Sequence, residues 1–223
     1  MISEHIQSAP QAPLFDATAV TIQPKHVLKS LDLSSNEIRL VLETAKAQKQ
    51  LRMKGSWPVE PHADRLMAMI FEKQSLRTRV SFETAMYELG GHAVYLTKHD
   101  IEMGVRESIA DTARVLSKWC AMIVARLYRQ SDIEELAKWS SVPVINALTD
   151  KEHPCQALAD VLTIEEIFGK EPCKVVWVGD GNNVANSFAV TAAKLGHEVV
   201  ICTPAGYESE PYAYDFPNVT LSY

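Results

Sequence analysis

The sequence predicts an α/β fold: parallel sheets with helices on both faces, arranged as two similar units, the second incomplete. Three observations carry this expectation. From Leu66 onward, short apolar runs alternate with amphipathic helical patterns, the pattern of β-α-β units and parallel pairing. Gly90-Gly91 and Gly196 stand where helical stripes stop, as helix C-termini favour. Gly169 to Pro172 interrupts the alternation, which then restarts.

Taken in order, residues 1–25 mix Ser, Gln and three prolines without periodicity and read as a loose or extended arm. Ser34 with Glu37 is a capping-box pattern, and Ile38, Val41, Leu42 and Ala45 give a helical stripe. Leu66 to Phe71 reads as a buried strand, and Phe82, Ala85, Met86 and Leu89 as a helix stripe ending at the Gly pair. Ala93 to Leu96, Ala121 to Ala125 and Val142 to Ala147 read as strands two to four. Between them lie helices at Ser108 to Lys118 and from Ser131 with Glu134. A longer helix, Pro154 to Phe168, leads to a second unit. There Lys174 to Val178 is a strand, Asn186 to Leu195 a helix, and Val199 to Thr203 and Val219 to Tyr223 are strands. The expected organisation is an arm (1–25), a first domain (26–150), a linking helix (151–170) and a partial second domain (171–223).

Composition excludes several classes. The 223 residues carry 22 Lys plus Arg against 28 Asp plus Glu, a net charge of -6, which argues against nucleic acid as a partner. The four cysteines are scattered without a C-x-x-C pair, so neither a disulfide framework nor a metal site is expected. No signal peptide or membrane span is expected, and the cytoplasm is the expected location.

The most informative segment is Ser75-Leu-Arg77-Thr78-Arg79, where the first strand hands over to a helix. That is the carboxyl edge of a parallel sheet, the usual ligand position. The helix start offers unpaired N–H groups and the positive dipole end. Ser75 and Thr78 add hydroxyls, and Arg77 can grip phosphate oxygens in pairs; a capped helix with solvated arginines is the plainer alternative. Arg126 directly follows the third strand, and His153-Pro-Cys155-Gln156 opens the long helix after the fourth. A lone histidine is more often structural, but these points share one sheet edge and could surround one pocket. Gly179-x-Gly181 invites a dinucleotide reading. Val184 stands where the third glycine belongs and no acidic residue follows at the usual spacing of about 20 residues, so no nucleotide cofactor is expected.

Taken together, these segments resemble the aspartate and ornithine carbamoyltransferases. Ser75-x-Arg77-Thr78-Arg79 is similar to that family's carbamoyl-phosphate signature and His153-Pro-Cys-Gln156 to its H-P-x-Q signature. Glu107-Ser108 through Asp111-Thr-Ala-Arg-Val-Leu and Ala125-Arg126-Leu-Tyr also match it, and Trp177-Val-Gly-Asp-Gly-Asn-Asn183-Val favours the ornithine branch. One departure is Leu76, where the family often has a hydroxyl residue. The resemblance implies transfer of the carbamoyl group of carbamoyl phosphate to the side-chain amine of L-ornithine, giving L-citrulline and phosphate, without a cofactor, in arginine biosynthesis. It implies that Ser75, Leu76, Arg77 and Thr78 hold the phosphate, that Arg126, His153 and Thr78 face the carbonyl oxygen, and that Gln156 orients the carbamoyl NH₂. It further implies Asn183 on the ornithine backbone, and a homotrimer in which the segment near Glu102 to Ser108 reaches a neighbour's phosphate site, where the Glu102 carboxylate would be unfavourable unless paired with an arginine such as Arg106. The Asp and S-M-G loop and the C-L-P motif that meet ornithine in the family do not occur in these 223 residues. A fragment or natural truncation is therefore expected, with a non-catalytic binding module or a carbamoyltransferase for a modified ornithine as alternatives.

Overall fold

A computed structural model describes residues 22–23, 25–55 and 62–223; all but residues 22, 23 and 25 of the expected arm lie outside them. Helix α1 (Ser35–Met53) opens on the predicted box: Ser34 Oγ accepts from the Glu37 N–H, and Glu37 accepts from the Ser34 N–H at 2.8 Å. The first sheet has strands β1 (Leu66–Phe71), β2 (His92–Thr97), β3 (Met122–Arg126) and β4 (Val144–Leu148). They run parallel in the order β2-β1-β3-β4. Val27 adds a parallel bridge beyond β4, donating to the Val144 carbonyl and accepting from the Asn146 N–H.

Helices α2 (Leu76–Glu88), the short α3 (Lys98–Ile101), α4 (Ile109–Trp119) and α5 (Gln130–Trp139) connect these strands. Strand β1 is apolar throughout because both of its faces are covered. Met67, Met69 and Phe71 pack with Met86 of α2, while Ala68 and Ile70 pack with Ala113 of α4 and Ile133 and Leu136 of α5. Helix α5 does not open at Ser131. It starts at Gln130, whose N–H donates to the Asp150 carboxylate at 3.1 Å. The cap comes from the next connection, which local sequence could not reveal.

Helix α6 (Pro154–Phe168) leads to the second sheet, where β5 (Lys174–Val178), β6 (Glu198–Cys202) and β7 (Val219–Ser222) run parallel in that order. Helix α7 (Asn183–Lys194) starts three residues earlier than expected, because Asn182 Oδ1 accepts from the N–H groups of Val184 and Ala185. A 3₁₀ turn (Pro211–Tyr214) precedes β7. The apolar face of α1 does not lie on the first sheet. Leu33, Ile38 and Leu42 join Val161 of α6, Phe188 and Ala192 of α7 and Ile201 of β6 in one core. Arg39 and Lys46 of α1 reinforce that packing by ion-pairing with Glu165, whose side chain is fully buried.

Of the two glycines after β5, Gly181 serves packing. A Cβ on Gly181 would stand 2.2 Å from the Ser209 nitrogen, and its N–H already donates to the Tyr207 carbonyl at 2.8 Å. Gly181 thus permits close approach of two chain segments.

Candidate functional site

The ends of β1, β3 and β4 lie side by side, with Phe71 in register with Arg126 and Arg126 with Leu148. At this edge α2 begins. Ser75 is its cap, and Ser75 Oγ accepts from the Thr78 N–H at 3.2 Å. The N–H groups of Leu76 and Arg77 then have no intrahelical carbonyl to reach and are left for an anion. The Leu76 side chain is 77% exposed, so its replacement of a hydroxyl residue leaves the backbone donor untouched.

Arg126 crosses from β3 to α2, donating to Thr78 Oγ1 at 3.3 Å. Burial lowers its pKa, yet a guanidinium stays protonated in proteins. His153, only 9% exposed, is the residue before α6. Burial first, and the Arg126 charge second, push its imidazole down to about 4. It is therefore neutral at physiological pH and can both donate and accept. Arg126 Nε and His153 Nδ1 are buried without a hydrogen-bond partner among the described residues. Buried polar atoms are rarely left so, which marks this edge as a place for a small polar ligand.

The other expected residues are distributed differently. Gln156 is exposed at the start of α6 and donates its amide to Asp160 at 2.8 Å, leaving Oε1 uncommitted. Cys155 points inward, its thiol against the Asn146 carbonyl at 3.4 Å; burial pushes it up to about 12, so it is no nucleophile. Arg77 does not join Arg126 and His153. It lines a shallow hollow on the outer side of α2 with Arg52, Val80, Thr84 and Glu88, and makes no ion pair among the described residues. Arg79 stacks on the Tyr95 ring at 3.7 Å and pairs with Glu83 at 3.0 Å, which makes it structural here. Glu102 caps α3 in a left-handed conformation, φ 41°. The Glu102 carbonyl accepts from the Arg106 N–H at 2.9 Å in a tight turn, and the two side chains make no ion pair among the described residues. No group of three or more His, Cys, Asp or Glu among the described residues is placed to hold a metal.

Asn183 opens α7 and donates its amide to the Thr149 carbonyl at 2.5 Å, across from the His153 segment. Sequence reasoning missed its companions Asn186 and Ser187, which contact the same segment. Their i, i+3, i+4 spacing from Asn183 was the available signal. Glu152, buried beside His153, was also missed.

Comparison with known proteins identifies the family. Residues 25–166 match the family described as aspartate/ornithine carbamoyltransferase, carbamoyl-P binding domain, and residues 171–218 match the Asp/Orn binding domain. The chain is 50% identical over 195 residues to the ornithine carbamoyltransferase of Pyrococcus abyssi, covering 86% of this chain and 60% of that one. It is 46% identical over 196 residues to that of Methanocorpusculum labreanum, covering 86% and 63%. Among solved structures, ornithine carbamoyltransferase from Pyrococcus furiosus superposes with a TM-score of 0.88 at 46% identity, covering 92% of this chain and 68% of that one. The Thermus thermophilus enzyme gives 0.82 at 41%, covering 90% and 69%. The chain thus spans under two thirds of the length of these curated relatives.

The state of His153 has a measurable consequence. A histidine of ordinary pKa, 6.5, falls to about 4 here, so between those values the unfolded chain binds more protons. The stability that His153 contributes is complete above about pH 6.5 and is lost as pH falls toward about 4. His153→Gln should therefore flatten the decline of unfolding free energy across that window, read by urea denaturation at about pH 4.5 and about pH 7. An unchanged slope would show that His153 is not held neutral by burial.

Proposed function

Because this chain belongs to the aspartate/ornithine carbamoyltransferase family, we propose that its first sheet binds carbamoyl phosphate and that the whole protein is an ornithine carbamoyltransferase. It would move the carbamoyl group to the side-chain amine of L-ornithine, giving L-citrulline and phosphate. The observation that carries this reading is the convergence of Thr78, Arg126 and His153, with two buried nitrogens unsatisfied, at the start of α2.

The chemistry follows from that arrangement. Ser75, Leu76, Arg77 and Thr78 would hold the phosphate through the α2 N-terminus, with Arg77 swinging inward from its hollow. The neutral ornithine nitrogen attacks the carbonyl carbon, and negative charge gathers on the carbonyl oxygen. Arg126, Thr78 and neutral His153 donate toward that position. The carbonyl re-forms as the C–O bond to phosphate breaks, and the departing phosphate takes the electron pair and the proton released by the attacking nitrogen. Gln156 Oε1 would accept from the carbamoyl NH₂ and orient it. Asn183, whose Oδ1 is uncommitted, would meet the ornithine backbone. A homotrimer with Glu102 at a neighbour's phosphate site, in the cytoplasm, completes the proposal. Among the described residues no helix is long and apolar enough to cross a membrane.

Arg77→Ala should weaken carbamoyl-phosphate binding about tenfold to a hundredfold, since hydrogen bonds to a charged ligand are lost. Unchanged affinity in titration calorimetry would remove Arg77 from the site. Residues 1–223 alone should form citrulline at a rate at least on the order of a hundredfold below a full-length relative, because the amine is not fully positioned. Comparable turnover numbers in a citrulline assay would place the acceptor site within these residues. Sedimentation at micromolar concentration should give three copies; a monomer would contradict the assembly.

A further inference from the structure

The segment carrying His153 is gripped by one face of α7. Asn183 donates to the Thr149 carbonyl at 2.5 Å, Asn186 donates to the Lys151 carbonyl at 3.0 Å, and Ser187 Oγ accepts from the His153 N–H at 2.8 Å. Ser187 is fully buried and uses its own proton on Glu152 Oε2 at 2.5 Å. The same oxygen accepts from Ser30, through its N–H at 3.1 Å and its hydroxyl at 3.0 Å.

Glu152 is 2% exposed and makes no ion pair among the described residues. Burying a carboxylate without a cation in contact is costly. Three hydrogen bonds on one oxygen and the nearby charge of Lys194 offset part of that cost, and the Tyr212 hydroxyl lies against the same carboxylate. Packing alone would be better served by an apolar side chain here. What the carboxylate supplies is direction: it orients the Ser187 hydroxyl so that its lone pair meets the His153 N–H. It also ties that serine to Ser30, at the turn before α1. The peptide preceding the imidazole is thereby held from both sides.

We propose that Glu152 and Ser187 are positioning residues, which fix His153 toward the carbonyl of the bound donor and make donor-site geometry depend on α7. This rests on the carbamoyl-phosphate reading above. Neither side chain touches the reacting atoms. They act through the His153 backbone, and Asn183 on the same helix face links acceptor binding to the same segment.

The test compares two ligands on the 223-residue chain. Inorganic phosphate reports on the α2 N-terminus, whereas carbamoyl phosphate also needs the imidazole. Ser187→Ala and Glu152→Ala should each lower carbamoyl-phosphate affinity by about five- to tenfold, the loss of one or two hydrogen bonds. Inorganic phosphate affinity should stay within about twofold. Glu152→Gln, which keeps an acceptor for Ser187 and Ser30, should recover most of the loss. In histidine-ring NMR the protonation midpoint of His153 should move up toward the ordinary histidine value in Ser187→Ala, where a loosened imidazole gains solvent without any change in nearby charge, and stay low in Glu152→Gln. Should Glu152→Ala not fold, Ser187→Ala and Glu152→Gln carry the comparison. Equal loss of both ligands, or an unmoved His153 midpoint in Ser187→Ala, would overturn the positioning role. A wild-type chain that does not bind carbamoyl phosphate would refute the functional reading instead, and the ring titration would then decide the positioning role by itself.

Discussion

A guanidinium cannot shed its proton inside a protein, so Arg126 brings a permanent charge to the edge of an apolar sheet. Much of the site depends on that constraint. The charge sits at the end of β3, where the parallel arrangement brings the starts of α2 and α6 within reach. It takes one partner from α2, the Thr78 hydroxyl. It helps keep the neighbouring imidazole uncharged, because a second cation beside it in a poorly solvated place would be unfavourable. Its Nε is left unsatisfied. A stable core would avoid each of these features, and together they leave the edge open to a small polar ligand.

Two buried carboxylates in the same molecule show how differently the chain treats charge. Glu165 is covered by Arg39 and Lys46, the arrangement expected where an ion pair joins packed helices. Glu152 receives hydroxyl and amide donors instead. The first ties α1 to α6 in the core. The second lies next to a residue of the candidate site, where directional contacts matter more than neutralisation.

The sequence revealed the fold class well because parallel strands with two buried faces must be apolar throughout, as Leu66 to Phe71 is, and because glycines mark helix ends. The capping box at Ser34 and Glu37 was legible for the same reason: its partners are three residues apart. The start of α5 was not, since its cap is Asp150, 20 residues away in sequence. The candidate site was legible in its identities and less so in its geometry. Thr78, Arg126 and His153 converge, but the Arg77 side chain rests on the outer side of α2, and Glu102 meets Arg106 through a backbone turn. Glu152 and Ser187 escaped notice because their meaning lies in a contact between residues 35 positions apart in sequence.

The packing of α1 bears on how the chain comes off the ribosome. Its apolar face meets α6, α7 and β6, and the Arg39–Glu165 pair spans 126 positions. At roughly 5–20 residues per second, the helix emerges roughly 6 to 25 s before that partner. During that interval Ile38 and Leu42 have no native surface to cover them, and the nascent first sheet can assemble while α1 waits. Closure of the second core is therefore a late, long-range event, set by sequence separation more than by helix propensity. Any holdase that shields early apolar segments would find a natural target in α1.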